Sequence, residues 1–185
     1  MIEFNEVLIE SVEDYDKLYE CIGKETIDEQ AVDTLKKFLG TNCNRIVVEY
    51  PYHDKDFLST YYCYYSQKFR GFPKKCYRLH IMGEDEKYFG YIVLRPTVKG
   101  TRLGTTYLSP QPFLDEEAYL MLAKYEAHIM DNKCDIMCFP WMKQEVDIAV
   151  CAHVAAWTIL RYYGNKYHNY ADTTMGAIAQ KIKGD

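Results

Sequence analysis

The stretch Gln144–Gly164, QEVDIAVCAHVAAWTILRYYG, places a lone cysteine, Cys151, at the mouth of an apolar helix, seven positions after a glutamine. A thiol in the first turn of a helix meets backbone N–H groups without intrahelical partners and the positive end of the helix dipole. Both stabilise a thiolate. A side-chain amide nearby, together with the cysteine's own backbone N–H, would form the donor pair of an oxyanion hole. Gln144 lies upstream in a loop that can fold back over the helix start, so this spacing suits thiol-dependent acyl transfer. The bland reading stands beside it, because small cysteines are common inside apolar helices for packing alone.

The longer segment PWMKQEVDIAVCAHVAAWTILRYY resembles the nucleophile segment of papain-like cysteine peptidases, particularly the C39-like group similar to the double-glycine leader peptidases. In that pattern a Gln precedes the Cys, small residues follow it, and the helix continues apolar and aromatic. The resemblance implies Gln144 as the oxyanion glutamine and Cys151 as the nucleophile, with Asp147 and Ala152 among the flanking polar and small positions. DTTMGAIAQKI resembles the next short helix of the group, so the likeness covers about residues 139–182, the N-terminal part of the catalytic module only.

A papain-like base is a histidine well downstream on a strand, oriented by Asn or Asp. After the helix this chain offers His168 and no such strand, and His153, two residues from the Cys, points to another side of the helix. A thiol without a base is half of a dyad. The expectation is therefore the front portion of a larger peptidase, inactive as it stands, or a non-catalytic binding or assembly module that keeps the helix as core. A permuted arrangement would draw the base from His53, His80 or His128. His80, in the strand-like YRLHIM, has the rigidity for it, although an isolated strand histidine is ordinarily a hydrogen-bonded core group.

The elements that must position these residues read as α+β. IEFNEVLI (2–9) is a strand, and Ser11 with Asp14 opens a helix through a capping box. TIDEQAVDTLKKFLG is a helix with Ala31, Leu35, Phe38 and Leu39 on one face and Gly40 at its end. RIVVEY is a buried strand, and HDKDFLSTYYCYYSQKFRG a helix with an acidic start, a tyrosine-rich face and a glycine stop at Gly71. CYRLHIMG, KYFGYIVLRPT and RLGTTYLSP are strands of an antiparallel sheet, and residues 118–139 form a hairpin turning at DNK rather than one long helix. IAVCAHVAAWTILRYY, apolar on every side, belongs in the middle of a domain, with Asp147 as N-cap and Gly164 just past its end. A short helix follows, capped near Asp172 or Thr173, with Met175, Ile178 and Ile182 on one face. The expected organisation is an α+β domain of unknown role over residues 1–140, against whose sheet the papain-like segment 141–185 packs.

Composition narrows the remaining classes. With 22 basic against 27 acidic residues, a net charge of −5 and no basic face, nucleic acid is not an expected partner; a peptide or protein is. No window has the roughly 18 apolar residues of a membrane span, the N-terminus has no basic signal region, and 7 scattered cysteines show no disulfide framework. Reduced thiols in a cytoplasm are the simplest reading. Cys134 and Cys138 lack a second ligand pair for zinc and read as inward strand residues, so no metal or cofactor is expected. Gly100 and Gly104 bracket a strand instead of opening a helix, which argues against the phosphate-binding turn of an acyl-CoA transferase, and Arg95 and Arg102 read as sheet anchors. The 18 tyrosines suit half-buried strands and contact surfaces.

Overall fold

The computed structural model describes residues 2–69, 71–96, 103–114, 119–143 and 151–183. Its centre is an antiparallel sheet in the spatial order β1 (Glu3–Leu8), β2 (Arg45–Tyr52), β3 (Cys76–Met82), β4 (Tyr88–Leu94), β5 (Leu103–Leu108) and β8 (Trp141–Met142). β6 (Ala123–Ile129) and β7 (Asn132–Cys138) form a separate two-stranded hairpin. The class is α+β, as the mixture of periodicities implied.

Strand alternation assigns the two faces of the sheet. Ile46, Val48, Leu79, Ile81, Ile92 and Leu94 point to one side and pack against α1 (Lys17–Ile22) and α2 (Glu29–Leu39) in the largest core cluster. Asp28 caps α2 by accepting the Ala31 N–H at 2.7 Å, and Ala31, Leu35 and Leu39 are buried. Phe38, expected on that face, is instead 65% exposed, because position 38 falls one residue outside the buried spacing. Ser11 and Asp14 do meet: the Asp14 carboxylate accepts the Ser11 N–H at 2.8 Å. The turn they open is a 3-10 turn, Val12–Asp16, that leads into α1.

The opposite face carries Val47, Glu49, Arg78, His80, Tyr91, Val93 and Tyr107, whose cross-strand pairs include Glu49 with Arg78 and His80 with Tyr91. Three units cover it. α3 (Lys55–Cys63) and the following 3-10 turn bring Phe57, Tyr61 and Tyr65 onto Val93 and Cys76. Glycine 71 does not stop α3, which ends at Cys63. The hairpin buries every second residue of β6 (Ala123, Tyr125, Ala127, Ile129) together with Ile136 and Cys138 of β7. The hairpin is there as expected, but it turns at Met130–Asp131, and Asn132 and Lys133, expected in the turn, already pair in β7.

The third unit is the pair α4 (Cys151–Lys166) and α5 (Met175–Lys183), whose Trp157, Met175 and Ile178 share a core cluster with Met142 of β8. Two sequence expectations fail here. α4 is not covered all round: Trp157, Thr158 and Tyr162 are buried, while Cys151, Ala152, Ala155 and Ile159 are exposed. Its apolar sequence exceeds the neighbours that the described residues offer it. Gly164 also lies inside α4, which continues to Lys166, so this glycine does not end it. Asp147 falls outside the described residues. In α5, Met175 and Ile178 face inward but Ile182 is 58% exposed, and Thr174 rather than Asp172 or Thr173 offers its hydroxyl to the first turn.

α5 crosses α3 at a point where only glycine fits. A Cβ on Gly176 would lie 2.4 Å from the Ser59 hydroxyl and 2.7 Å from the Ser59 backbone oxygen. The backbone contact cannot move away as a side chain could. Gly176→Ala is expected to cost about 1–3 kcal/mol through overpacking, in spite of the better helix propensity of alanine. Urea unfolding measures it, and a variant as stable as the parent would refute the close crossing.

Candidate functional site

Cys151 is the first described residue of α4, and its side chain is exposed. The sulfur is not sealed in the core, so one condition of the nucleophile reading is met. Gln144 lies outside the described residues, and with it the proposed amide–thiol pairing. All seven cysteines are thiols: Cys43, Cys76 and Cys138 buried, Cys21, Cys63 and Cys134 half-buried, Cys151 exposed.

The histidines do not gather at Cys151. His53, His128 and His168 are exposed. His153 sits two positions along α4, about 200° round the helix from the thiol. Its Nδ1 is buried with no hydrogen-bond partner among the described residues. His80, the strand candidate for a permuted base, is fully buried and committed elsewhere. Its Nε2 lies 3.0 Å from Glu49 Oε2 and its Nδ1 2.8 Å from the Tyr88 hydroxyl. Burial pushes the His80 pKa down against the pull of Glu49. Burial pushes Glu49 up, but hydrogen bonds and charge from His80 and Arg78 outweigh it and leave the carboxyl low. The consistent state is a neutral His80 donating Nε2–H to a Glu49 carboxylate and accepting the Tyr88 O–H. Arg78 completes the network by donating Nε–H to Glu49 and Nη2–H to the His128 carbonyl at 2.8 Å, which pins the hairpin to the sheet.

What positions Cys151 is a buried polar cluster that sequence reasoning missed. Asp56, in the first turn of α3, is 4% exposed. Its carboxylate accepts Arg161 Nη2–H at 3.0 and 2.8 Å, the Trp157 indole N–H at 2.8 Å and the Met175 backbone N–H at 3.3 Å. One side chain therefore ties α3 to the middle of α4 and to the start of α5. Arg161 Nε also sits 3.2 Å from Asp172 Oδ1, an ion pair whose N–H is not aligned for a hydrogen bond. Lys55 reaches Asp172 Oδ2 at 2.6 Å. Burial raises the pKa of Asp56, opposed by Arg161 and by the Trp157 and Met175 donors.

Beside it, Asp54 caps α3 by accepting the Phe57 N–H at 2.7 Å. It is 4% exposed, and burial first, then the neighbouring Asp56 charge, push its pKa up to about 6. Arg95 anchors this end of the sheet, as expected, donating Nη2–H to the Leu103 carbonyl at 3.1 Å and to the Lys143 carbonyl at 3.0 Å. It thereby holds the residue from which the chain departs toward Gln144. Arg102 lies outside the described residues. Among the described residues no group of three or more His, Cys, Asp or Glu side chains could hold a metal ion, and no helix is long and apolar enough to cross a membrane.

No known protein family, curated protein or solved structure matches this chain.

Two expectations follow from the polar cluster. Arg161→Met leaves Asp56 buried without its cation and is expected to cost about 3–5 kcal/mol of stability. Asp172→Asn, which alters a half-exposed pair, should cost below about 1 kcal/mol. Equal effects in chemical denaturation would remove the central role of Asp56. For Asp54, the folded-state pKa of about 6 lies above the ordinary aspartate value of 3.8. Its protonated form therefore favours folding, and that contribution is complete below about pH 4 and lost as pH rises through 6. Asp54→Asn keeps the capping oxygen without the charge. It is expected to be roughly 3 kcal/mol more stable than the parent at pH 8 and nearly equal to it at pH 4. A pH-independent difference would contradict this.

Proposed function

We propose that this chain carries the thiol-bearing half of a papain-like acyl-transfer site, a cysteine peptidase-like module whose histidine is not placed beside Cys151 among the described residues. The observation that carries the reading is the exposed Cys151 on a helix fixed by the buried Asp56–Arg161–Trp157 cluster. A nucleophile must be reachable and must also stand still, because misplacement by an ångström forfeits much of the advantage of orientation. In the proposed reaction the Cys151 thiolate attacks a peptide carbonyl and the leaving amine departs with a proton, giving a thioester. Gln144 and the Cys151 N–H would hold the oxyanion. Seven thiols also suit a reducing compartment, which supports a cytoplasmic setting.

A second reading is a protein-binding or assembly module. It is favoured by an apolar cavity of about 370 Å3 at the β5–β8 end of the sheet. Leu108, Leu120, Met121, Phe139 and Trp141 line it, three of them over 40% exposed or at that value.

Residue-resolved alkylation by iodoacetamide separates the two. Exposure alone makes Cys151 faster than buried thiols, so the fair comparison is with half-buried Cys21, Cys63 and Cys134, and the decisive axis is pH. An ordinary thiol loses about a hundredfold in rate between pH 8.5 and pH 6 as its thiolate disappears. Cys151 is expected to lose less than about tenfold. If its rate falls as steeply as those of the other three, the acyl-transfer reading fails and the binding reading stands.

A further inference from the structure

Where α3, the sheet and α5 converge, the core contains a cavity with about 10 Å3 of room for the centre of a water-sized sphere. Its apolar walls are Phe57, Met142 and Met175, and its polar ones Asp54, Asp56, Thr60, Arg95 and Thr105. The hydrogen-bond accounting of these polar walls is incomplete. The two bonds to Asp54, from Phe57 N–H and from the Thr105 hydroxyl at 3.4 Å, both use Oδ1. Among the described residues no hydrogen bond reaches Asp54 Oδ2. None involves the hydroxyl of Thr60, a residue only 4% exposed. Both residues are 4% exposed and line the same cavity, so a hydroxyl and a carboxylate oxygen without a protein partner are costly there unless the cavity itself supplies one.

We propose that this cavity binds one water molecule, held between the Asp54 carboxylate and the Thr60 hydroxyl, as a fixed part of the core. The volume meets the requirement of about 10–15 Å3 for a single water, and the site supplies the two to four polar partners that a buried water needs. Charge selects water over a cation. Asp54 and Asp56 face Arg95 and Arg161, whose fields both act on Asp54, so two carboxylates meet two guanidinium groups and no further positive charge is called for. Size selects it over any larger polar ligand. The water donates to Asp54 Oδ2 and accepts from or donates to Thr60, which satisfies both groups. It also gives Asp54 an internal proton partner when its carboxyl changes state. The site is independent of the acyl-transfer reading.

The test has two parts. In the 185-residue parent chain, a long-lived water is expected to give a cross-peak of negative sign between the water resonance and the Phe57 amide in water–protein NOE spectra. A high-resolution crystal structure is expected to show one solvent peak about 3 Å from both Asp54 Oδ2 and Thr60 Oγ1. Thr60→Val, which keeps the side-chain shape, should abolish the cross-peak and move the Asp54 titration, followed by carboxyl 13C shifts, to higher pH. Thr60→Ser should retain both. If Thr60→Val fails to fold, the parent spectra and density still decide. No solvent peak, with the Thr60 hydroxyl turned onto a carbonyl of α3, overturns the proposal. So does density ringed by six oxygens at about 2.4 Å, the signature of a cation.

Discussion

A carboxylate inside a protein must be paired, and the pairing of Asp56 determines how the last third of this chain meets the rest. The cost of removing Asp56 and Arg161 from water is several kcal/mol per ion before any attraction is counted. A two-point contact, with an indole N–H and a helix-start N–H on the same carboxylate, offsets it. Such a cluster does not make the fold much more stable than an apolar core would. It makes one arrangement far better than its neighbours, since a shift of α4 by one turn would strand both charges. Trp157 adds packing to this geometry: it is fully buried, its ring lies 5.2 Å from the Arg161 guanidinium, and its N–H is satisfied by the same carboxylate.

The Glu49–His80–Arg78–Tyr88 network does for the hairpin what Asp56 does for α4. Its members lie on β2, β3 and β4, on the face that the hairpin covers, and Arg78 extends from it to the His128 carbonyl of β6. Arg78 also stacks over Tyr52 at 4.3 Å. A two-stranded hairpin is marginal alone, so its position rests on these contacts and on the apolar stripe beneath it. The ion pairs on its outer side, Lys124–Asp135 and Lys133–Glu126, are half-exposed and contribute little. Both polar seams lie on the same side of the sheet, and the other side is nearly all aliphatic. One face thus supplies bulk stability, and the other decides where the mobile choices of topology fall.

The aliphatic side was legible in the sequence because its signals are local. The spacing of Ala31 and Leu35 in α2 and the unbroken apolar run of RIVVEY in β2 each depend on residues a few positions apart. The polar seams were not, because their partners are far apart: Asp56 and Arg161 are separated by 105 positions. HDKDFL reads as an acidic helix start, which is right for Asp54 and silent about Asp56. One signal was there to be used. Arg161 is the lone charge in IAVCAHVAAWTILRYY, and a charge embedded in an apolar helix implies a buried counter-charge. The candidate site was legible to the same extent: residue types around Cys151 could be named, and its exposure could not, because apolar periodicity does not say which faces of a helix have neighbours.

That exposure is the remaining physical tension in α4. A helix apolar on all sides with one side open ought to leave a large hydrophobic patch in water. The open positions soften this by size: Cys151, Ala152 and Ala155 carry one-atom or two-atom side chains, and Ile159 alone is large, at 51% exposed. Methyl-sized side chains expose little apolar area at about 25 cal/mol per Å2, so the penalty stays small without any charged residue on that face. Nor do these small side chains themselves wall in the sulfur. Lysines or glutamates at those positions would have been cheaper for solubility and would have crowded the thiol. Among the described residues, the first turns of α4 thus combine exposure with small side chains, and under the proposed acyl-transfer reading that leaves room beside Cys151 for a polypeptide backbone.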